Sequence, residues 1–427
     1  MVIIAVGFDV QHLVLPAHMF GSHSWCLGRL RYIHYFALSN RYPYRGATEK
    51  KESWDTTCTQ NPPTQHTTRA TVLCRLSEMA STDASASPSS DATIQALRQT
   101  LTSETEPLAR RFRALFSLKH LACQSSLPAI HAIAAAFSSP SALLKHELAY
   151  CLGQTRNPEA APFLQAVLAN VDEDSMCRHE AAEALGALGD VGSLDILKRL
   201  RDTKDEPDVV RETCEIAVAR IEWENSEAGK AEKLKQRYAS YNSATQSPVH
   251  ANTLLSDFTS IDPAPTSEQS ATVDALEKTL LDPKLPLFLR YRAMFGLRDL
   301  ASPPDLPTAI PAVEALAKGL SHSSGSSALF RHEVAFVFGQ LSHPASIPAL
   351  TTALSDLSEQ SMVRHEAAEA LGSLGSEEGV EETLKRFLND KEQVVRESVV
   401  VALDMAEFEK GGETEYALIP GTAAASG

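Results

Sequence analysis

The sequence predicts an all-α protein made of helical hairpins stacked into two similar halves. In the first half, a basic residue recurs every 33 residues, at Lys145, Arg178 and Arg211. Ala and Leu follow each of these residues at helical spacing, and another apolar helical stretch precedes it. The same pattern returns later in the chain. Such a period is typical of a solenoid, in which neighbouring hairpins bury a shared core by stacking.

The first half, residues 91–225, contains four hairpins by this pattern. The second helices of its hairpins begin with RALFSL, KHELAYCL, RHEAAEAL and RETCEIAV. The helices that precede the last three of them read SLPAIHAIAAAF, AAPFLQAVLANV and SLDILKRLRD. Arg113 lies 32 residues before Lys145 and marks the first hairpin. We therefore expect four helix–turn–helix units here, joined by short turns.

The second half, residues 268–410, repeats this arrangement. Its hairpins are marked by four arginines, at positions 292, 331, 364 and 396. The insertion SHSSGSS at 321–327 lengthens the first spacing to 39 residues. The two halves should be related by internal pseudo-symmetry, since their elements follow in the same order.

The type of repeat is indicated by a recurring V-R-x-x-A-x-x-A-L pattern, clearest in DVVRETCEIAVARI and QVVRESVVVALDMA. It resembles short HEAT repeats. A period of 33 also fits ankyrin and tetratricopeptide repeats, but their TPLH and Trp/Tyr patterns are missing. Small Ala residues would let hairpins pack closely. The glycines of these helices are predicted to be C-caps: Gly153, Gly186, Gly189, Gly339, Gly372 and Gly375.

Three segments fall outside the repeats. Residues 1–90 are predicted to be a disordered extension; their first 78 residues hold no sustained helical period, and MASTDASASPSSDA follows. Met79 would make a natural start site, so we interpret residues 1–78 as a gene-model artefact, with a targeting or regulatory tail as the alternative. Residues 226–267 are polar and predicted to be a linker, and 411–427 a disordered tail.

Charge and composition restrict the partners. The formal net charge of −15 disfavours nucleic acid or an anionic membrane and favours a basic partner or a cationic substrate. No apolar stretch reaches the roughly 18 residues of a membrane span. The seven cysteines form no CxxC pair, which indicates reduced thiols in a cytosolic protein. We therefore expect neither nucleic acid nor a membrane among the partners.

A His-Glu dipeptide occurs four times, and each copy lies at the same point of a repeat. The middle two hairpins of each half carry it, whereas the outer hairpins have Arg-Ala or Arg-Glu there. Packing of the repeats therefore does not require histidine. A function at the centre of each half explains why histidine occurs there. The eight residues are His146, Glu147, His179, Glu180, His332, Glu333, His365 and Glu366.

These pairs predict a metal site. Equivalent positions of successive hairpins stack in a solenoid, so His146 should lie beside His179, and His332 beside His365. If the halves face each other, four imidazoles and four carboxylates converge, which is unfavourable without cations. Neutral imidazole and carboxylate are ligands of non-haem iron, manganese or zinc. Two equal sets of side chains predict two metal ions. The alternative is that each histidine is only solvated or caps its helix.

A zinc-protease HExxH motif is absent, because the fourth residue after each His is Tyr150, Glu183, Phe336 or Glu369. Glu183 and Glu369 are interpreted as polar residues on a helix face, with a supporting role behind the ligands as the alternative. Met176 and Met362 lie three residues before a histidine. Lining a pocket and ordinary packing suit these methionines equally well.

The segments KHELAYCLGQ, RHEAAEALGALG, RHEVAFVFGQ and RHEAAEALGSLG, in this order and in two halves, resemble the deoxyhypusine hydroxylase family. The resemblance extends over 91–410, including the linker ending in DPAP. It implies a di-iron, O₂-dependent monooxygenase built from HEAT repeats. The implied substrate is the deoxyhypusine side chain of translation initiation factor five-A, hydroxylated to hypusine in the last step of hypusine formation. We expect a cytoplasmic enzyme that also occurs in the nucleus.

The resemblance implies two ferrous ions as cofactors, held by the His-Glu pairs. The four histidines are the best candidate iron ligands, and Glu180 and Glu366 are the preferred carboxylates. Glu147 and Glu333 could instead hold the amines of the cationic substrate, so all eight residues are predicted at the metal. No catalytic residue beyond these is predicted. The sequence has no flavin or nicotinamide fingerprint, so an external donor must supply electrons.

Two other classes of function remain open at this point. One is a non-enzymatic HEAT-repeat binding scaffold, in which the His-Glu pairs are incidental. The other is a metal-dependent hydrolase, which would use zinc or manganese and would not need O₂. Metal content and the dependence of activity on O₂ separate these classes from a monooxygenase.

Overall fold

The computed structural model describes residues 90–234, 260–266 and 271–411, and these ranges contain helices but no strand. The all-α prediction is confirmed. The helices of the first half are α1 (Ser90–Thr102), α2 (Leu108–Cys123), α3 (Leu127–Ala134), α4 (Ala142–Gln154), α5 (Ala161–Ala169), α6 (Ser175–Leu188), α7 (Leu194–Asp202) and α8 (Asp208–Asn225).

The second half repeats this order of helices. They are α9 (Val273–Leu281), α10 (Leu287–Leu300), α11 (Ala309–Leu320), α12 (Ala328–Leu341), α13 (Ile347–Ser355), α14 (Ser361–Gly372), α15 (Val380–Lys385) and α16 (Gln393–Gly411). Each odd-numbered helix packs against the even-numbered helix that follows it. The described residues therefore form four hairpins in each half, as the repeat pattern predicts.

Several expectations concern residues outside the described ranges. The extension 1–78, the start site Met79 and the tail 412–427 belong to this group. Of the predicted linker 226–267, the structure describes a helical stretch at 227–234 and the segment 260–266. The domain boundaries themselves stay predictions.

The even-numbered helices, here called the inner helices, form a closed ring. Consecutive inner helices pack side by side within each half. The ring closes where α8 meets α10 and α12, here called the linker seam, and where α16 meets α2 and α4, here called the terminal seam. The cores interlock at both seams: Met176 and Ile216 pack in the core of the second half, and Val401 packs in that of the first.

The inner helices begin earlier than the sequence pattern indicated. The Ser141 hydroxyl accepts a hydrogen bond from the Leu144 amide at 3.0 Å, so α4 begins at Ala142 and Lys145 is its fourth residue. Asp174 caps α6 in the same way. The prediction that the basic residue opens its helix is therefore wrong. The histidine that follows lies in the second turn, inside the ring rather than at its rim.

Two of the recurring basic residues, Arg178 and Arg364, tie the two helices of their hairpins together. Arg178 Nε donates to the carbonyl of Leu168 at 3.1 Å, and Arg364 Nε to that of Leu354 at 3.0 Å. These carbonyls lie at the end of an outer helix, where they have no partner within it.

This contact also identifies the equivalent residue of the first hairpin in each half. This residue is Arg111 in the first half and Arg290 in the second. Their Nε atoms donate to the carbonyls of Leu101 and Leu280, each at 2.9 Å. The spacing had instead suggested Arg113 and Arg292. The position of the histidine is therefore taken by the next residue, Phe112 in the first half and Tyr291 in the second.

Glycines let the inner helices approach closely. A Cβ atom at Gly153 would lie 2.8 Å from Ala184, and one at Gly372 would lie 2.8 Å from Ala402. These positions need glycine for close packing rather than for capping, so the C-cap prediction is wrong for them. It is confirmed at Gly189, which ends α6 with φ +67°. The Gly–Ala contacts bring the histidine-bearing turns of neighbouring helices together.

None of the described helices is both long and apolar enough to cross a membrane.

Candidate metal centre

The four histidines of the His-Glu pairs meet at the centre of the ring. His179 and His365 are fully buried, and His332 and His146 are 3% and 6% exposed. Ring centroids are 5.3 Å apart between neighbours within each half, and 5.3 Å apart across the halves for 146–365 and 179–332. The diagonal from His146 to His332 is 5.7 Å. The expected stacking is confirmed, and the two halves do face each other.

Two of the glutamates reach across to the histidine of the preceding hairpin. Glu180 Oε2 lies 3.3 Å from His146 Nε2, and Glu366 Oε2 lies 3.4 Å from His332 Nε2. Potential ligand atoms of His146, His179 and Glu180 all lie within 4.8 Å of one another. In the second half the corresponding close group is His365, Glu366 and Glu369. Each half thus offers imidazole and carboxylate atoms at the spacing that a metal ion needs.

Glu147 and Glu333 lie beside this cluster, on the wall of a cavity of about 70 Å³. Glu147 Oε1 is 3.7 Å from the Cys151 thiol, and Glu333 Oε1 has no hydrogen-bond partner among the described residues. The structure thus separates the four carboxylates into two pairs by position. Metal ligation by all eight residues stays a prediction.

Glu183 and Glu369 also line this cavity, which favours the alternative of a supporting role behind the ligands. Glu369 Oε1 accepts a hydrogen bond from Ser398 at 2.9 Å and lies 3.7 Å from His365 Nδ1. The sequence did carry a signal for them. Each follows Glu180 or Glu366 by three residues, which places both carboxylates on one helix face.

Aromatic and aliphatic side chains form the cavity wall at the terminal seam. This wall, here called the apolar wall, consists of Phe112, Phe116, Val401, Met405 and Phe408. Tyr150 and Phe336 line the cavity one turn beyond a histidine, with ring centroids 5.9 Å apart. Met176 and Met362 do not line the cavity. They pack in the core of the second half, which agrees with the packing alternative. The cavity can hold an aliphatic chain that carries positive charge.

Burial and mutual repulsion raise the pKa values of the carboxyl groups. Burial, followed by the charge of Glu366, raises the pKa of Glu180 to about 8. Burial and Glu369 do the same for Glu366, whose pKa is also about 8. The pKa of Glu147 rises to about 8, and that of Glu333 rises well above its usual value. Carboxylates packed this closely repel one another once they are ionised, so the site favours bound cations.

The imidazoles are shifted the opposite way. Burial, and then the charge of His146, lowers the pKa of His332 to about 3, and similar causes lower those of His179 and His365 well below the usual value. Neither ring nitrogen of His179 or His332 has a hydrogen-bond partner among the described residues. Neutral, unpartnered imidazole nitrogens beside carboxylates are the donor set of a metal centre.

Comparisons with known proteins agree with this arrangement. A family model of HEAT repeats matches residues 129–219 and 313–404. Deoxyhypusine hydroxylase of Aspergillus clavatus is 68% identical over 346 residues, covering 79% of this chain and 96% of the relative. That of Neurospora crassa is 65% identical over 337 residues, covering 77% and 97%. The solved structure of human deoxyhypusine hydroxylase in complex with glycerol is 43% identical, covers 74% and 97%, and has a TM-score of 0.62.

Fold and site together define a metalloenzyme built from HEAT repeats. The extent of these matches identifies it further: the chain belongs to the deoxyhypusine hydroxylase family. It is therefore an oxidoreductase of the monooxygenase type, and the scaffold and hydrolase alternatives are wrong. The resemblance drawn from the four His-Glu segments is confirmed.

Proposed function

We propose that this enzyme hydroxylates the deoxyhypusine side chain of translation initiation factor five-A, the last step of hypusine formation, with two ferrous ions. The observation that carries the proposal is the buried cluster of four histidines flanked by six cavity-lining glutamates. Membership of the hydroxylase family supports the reaction, and the donor set supports iron.

In this proposal the first half holds one iron with His146, His179 and Glu180. The second half holds the other with the equivalent residues His332, His365 and Glu366. When bound, the irons supply the activation of O₂ that oxidation of an unactivated C–H bond requires. One oxygen atom enters the C–H bond and the other leaves as water, so two electrons and two protons are needed. An external reductant supplies the electrons.

Cavity charge supports a substrate with two amines. Six carboxylates line the cavity: those of Glu147, Glu180, Glu183, Glu333, Glu366 and Glu369. Two divalent ions and a doubly protonated amine side chain would neutralise them. Glu147 and Glu333, which lie apart from the imidazole contacts, are placed to bind the ammonium groups by charge-assisted hydrogen bonds.

The apolar wall suits the rest of such a side chain. The methylene groups between two amines gain free energy when they leave water, at roughly 0.8 kcal/mol for each buried CH₂. Phe116 and Met405 are only partly buried, so the wall reaches the surface at the terminal seam. The net charge of −15 suits a basic segment on the partner protein. We place the reaction in the cytoplasm and the nucleus.

Metal content, visible spectrum and activity of the purified protein test this proposal together. We expect about two irons per chain and hydroxylation that stops without O₂. Zinc at similar stoichiometry, with turnover under anaerobic conditions, would contradict the monooxygenase mechanism. Failure to bind ferrous iron after reconstitution would contradict the ligand assignment.

A further inference from the structure

The ring has two seams that are equivalent by internal symmetry, yet the helices of only one of them, the terminal seam, supply an apolar wall to the cavity at the metal centre. Every residue of the apolar wall has a counterpart at the same repeat position of the linker seam. The five counterparts, in the same order, are Tyr291, Phe295, Ile216, Arg220 and Trp223. No residue of α8 or α10 is among those that line the cavity.

Internal symmetry would give a second cavity at the linker seam, lined by these counterparts. The segment 260–266, with the sequence SIDPAPT and here called the strap, lies there instead. Arg220 donates to the carbonyl of Asp262, and Arg298 Nη1 binds the Asp262 carboxylate at 2.8 Å. Arg292 Nη2 donates to the Thr266 carbonyl at 3.1 Å. Among the described residues, the strap thus occupies the linker seam at the place that corresponds to the cavity wall of the terminal seam.

A symmetry-related pair of glutamines holds the strap from both halves. Gln154 ends α4 and Gln340 lies at the same position of α12. The Gln154 amide binds Ile261 twice, accepting from its N–H at 2.8 Å and donating to its carbonyl at 3.2 Å. Gln340 Nε2 donates to Ser260 Oγ at 2.9 Å. Because one glutamine comes from each half, the seated strap bridges the ring.

Burial and charge show that the linker seam is built to receive the strap. Ala264 is fully buried in the second-half core. Arg298 is 1% exposed, with its guanidinium 4.9 Å from the Phe295 ring, and it binds both Asp262 and Gln340. An arginine, Arg220, stands where the apolar wall has a methionine. The Arg298 guanidinium is also bound by Asp299 at 3.0 Å, so the strap carboxylate of Asp262 and the neighbouring Asp299 together compensate its buried charge.

We propose that the strap closes the symmetry-related twin of the cavity, so that the metal centre is open only at the terminal seam. Gln154, Gln340 and Asp262 are then positioning residues: they act through the strap and make a two-fold site one-sided. Substrate amines reach the histidines from one direction and in one orientation. The proposed closure does not depend on the proposed function. Only the statement that the entering group is an amine rests on that function.

Matched cysteine variants test the closure on the metal-free protein. Val401 and Ile216 are counterparts and are both 2% exposed, but only Val401 lines the cavity. We expect 2-aminoethyl methanethiosulfonate, a small cation, to modify Val401→Cys at least tenfold faster than Ile216→Cys. Peptide mass spectrometry identifies the modified thiol, and the parent protein gives the background of the native cysteines. Equal rates in the two variants would overturn the proposal.

A second experiment releases the strap. We combine Gln154→Ala and Asp262→Ala with each cysteine variant. The Ile216→Cys rate should rise at least tenfold while the Val401→Cys rate stays the same, which separates opening of one seam from general loosening. Circular dichroism and thermal unfolding verify folding, and Gln154→Ala alone replaces the combination if it does not fold. A folded, strap-released protein that still protects Ile216→Cys would refute the closure. Neither arm needs iron, substrate or turnover, so failure of the proposed function would leave the result intact.

Discussion

At the scale of single residues, the centre depends on imidazoles that stay neutral and carboxyl groups that hold protons until cations arrive. His179 is fully buried with both ring nitrogens unpartnered among the described residues. The carboxyl of Glu180, 3.3 Å from His146 Nε2, has a pKa of about 8. A buried polar group without a partner is costly, so the apoprotein carries a local instability that ligand binding relieves.

Replacement of one histidine tests its role directly. His179→Ala should lower the iron content from about two to about one per chain and reduce hydroxylation at least ~100-fold, because a ligand is lost. Helical content should be unchanged, since the imidazole makes no hydrogen bond that folding needs. Elemental analysis and circular dichroism measure both effects.

The control is His120→Ala in α2, where the side chain is exposed and forms a hydrogen bond with Gln124. It should leave metal content unchanged. Two irons in the His179→Ala protein would refute the assignment of this histidine as a ligand.

The shifted pKa values predict how the stability of the metal-free protein depends on pH. Glu147, Glu180 and Glu366 have folded-state pKa values of about 8. Between the pKa of an unfolded glutamate and 8, the folded state binds more protons, so its stability falls as pH rises. The folded-state pKa of His332 is lowered to about 3. This shift makes stability rise with pH, but only below the ordinary pKa of histidine.

The melting temperature of the metal-free protein should therefore drop by several degrees from pH 6.5 to 8.5. Glu180→Gln should reduce this slope, because it removes one titrating carboxyl. Scanning calorimetry at several pH values makes the comparison. A melting temperature that rises over this interval would contradict the assigned direction of the shifts.

At the scale of helices, the distance between neighbouring turns is set by Gly–Ala contacts. Gly153 packs on Ala184, where a Cβ would lie 2.8 Å away, whereas its counterpart Gly339 leaves 3.5 Å to Ala370. The imidazole centroids of successive hairpins nevertheless lie 5.3 Å apart in both halves. The closer helix contact in the first half therefore does not bring its histidines closer together.

The two glycines form a matched pair for a stability experiment. Gly153→Ala should destabilise the protein by about 1–3 kcal/mol, since the methyl group has no room. Gly339→Ala should be neutral or stabilising by up to ~1 kcal/mol, because alanine favours the helix and meets only ordinary contact distances. Urea unfolding measures both. Equal destabilisation by the two substitutions would show that close packing does not distinguish these positions.

The local sequence pattern predicts the helices and the equivalent positions of the four His-Glu pairs, because buried positions recur with the period of the hairpin. The pattern does not predict features that depend on tertiary contacts. The helix start before Lys145 depends on the Ser141 cap, and the choice of Arg111 over Arg113 depends on a carbonyl ten residues away. The sequence predicts only a linker at the strap, since nothing in SIDPAPT itself shows that Arg298 and Gln154 bind it.

At the scale of the whole molecule, the ring is closed differently at its two seams. The strap bridges the linker seam. At the terminal seam, Arg113 binds the Asp404 carboxylate with two hydrogen bonds of 2.9 and 3.0 Å. Ser141 donates to Glu397 at 2.7 Å in the same seam. Within the described residues, the terminal seam, whose helices line the cavity, is thus closed by contacts between side chains.

Asp404→Asn should loosen the terminal seam selectively. Hydrogen exchange should become faster in α16 and α2 and stay unchanged in α8 and α10. Overall stability should fall by no more than ~1 kcal/mol, because both side chains are 24% exposed and solvent screens the pair. The control is Asp202→Asn, which removes an exposed ion pair with Arg201. Faster exchange at both seams would show that they open together.

The strap belongs to neither repeat, and this has a consequence for how such a ring can be assembled. Two halves joined without this segment would surround the four imidazoles symmetrically, and a ligand could enter from either side. A strap at both seams would leave no entrance. Only a segment that the repeat does not duplicate, seated at one of two equivalent seams, gives a centre with a single direction of approach.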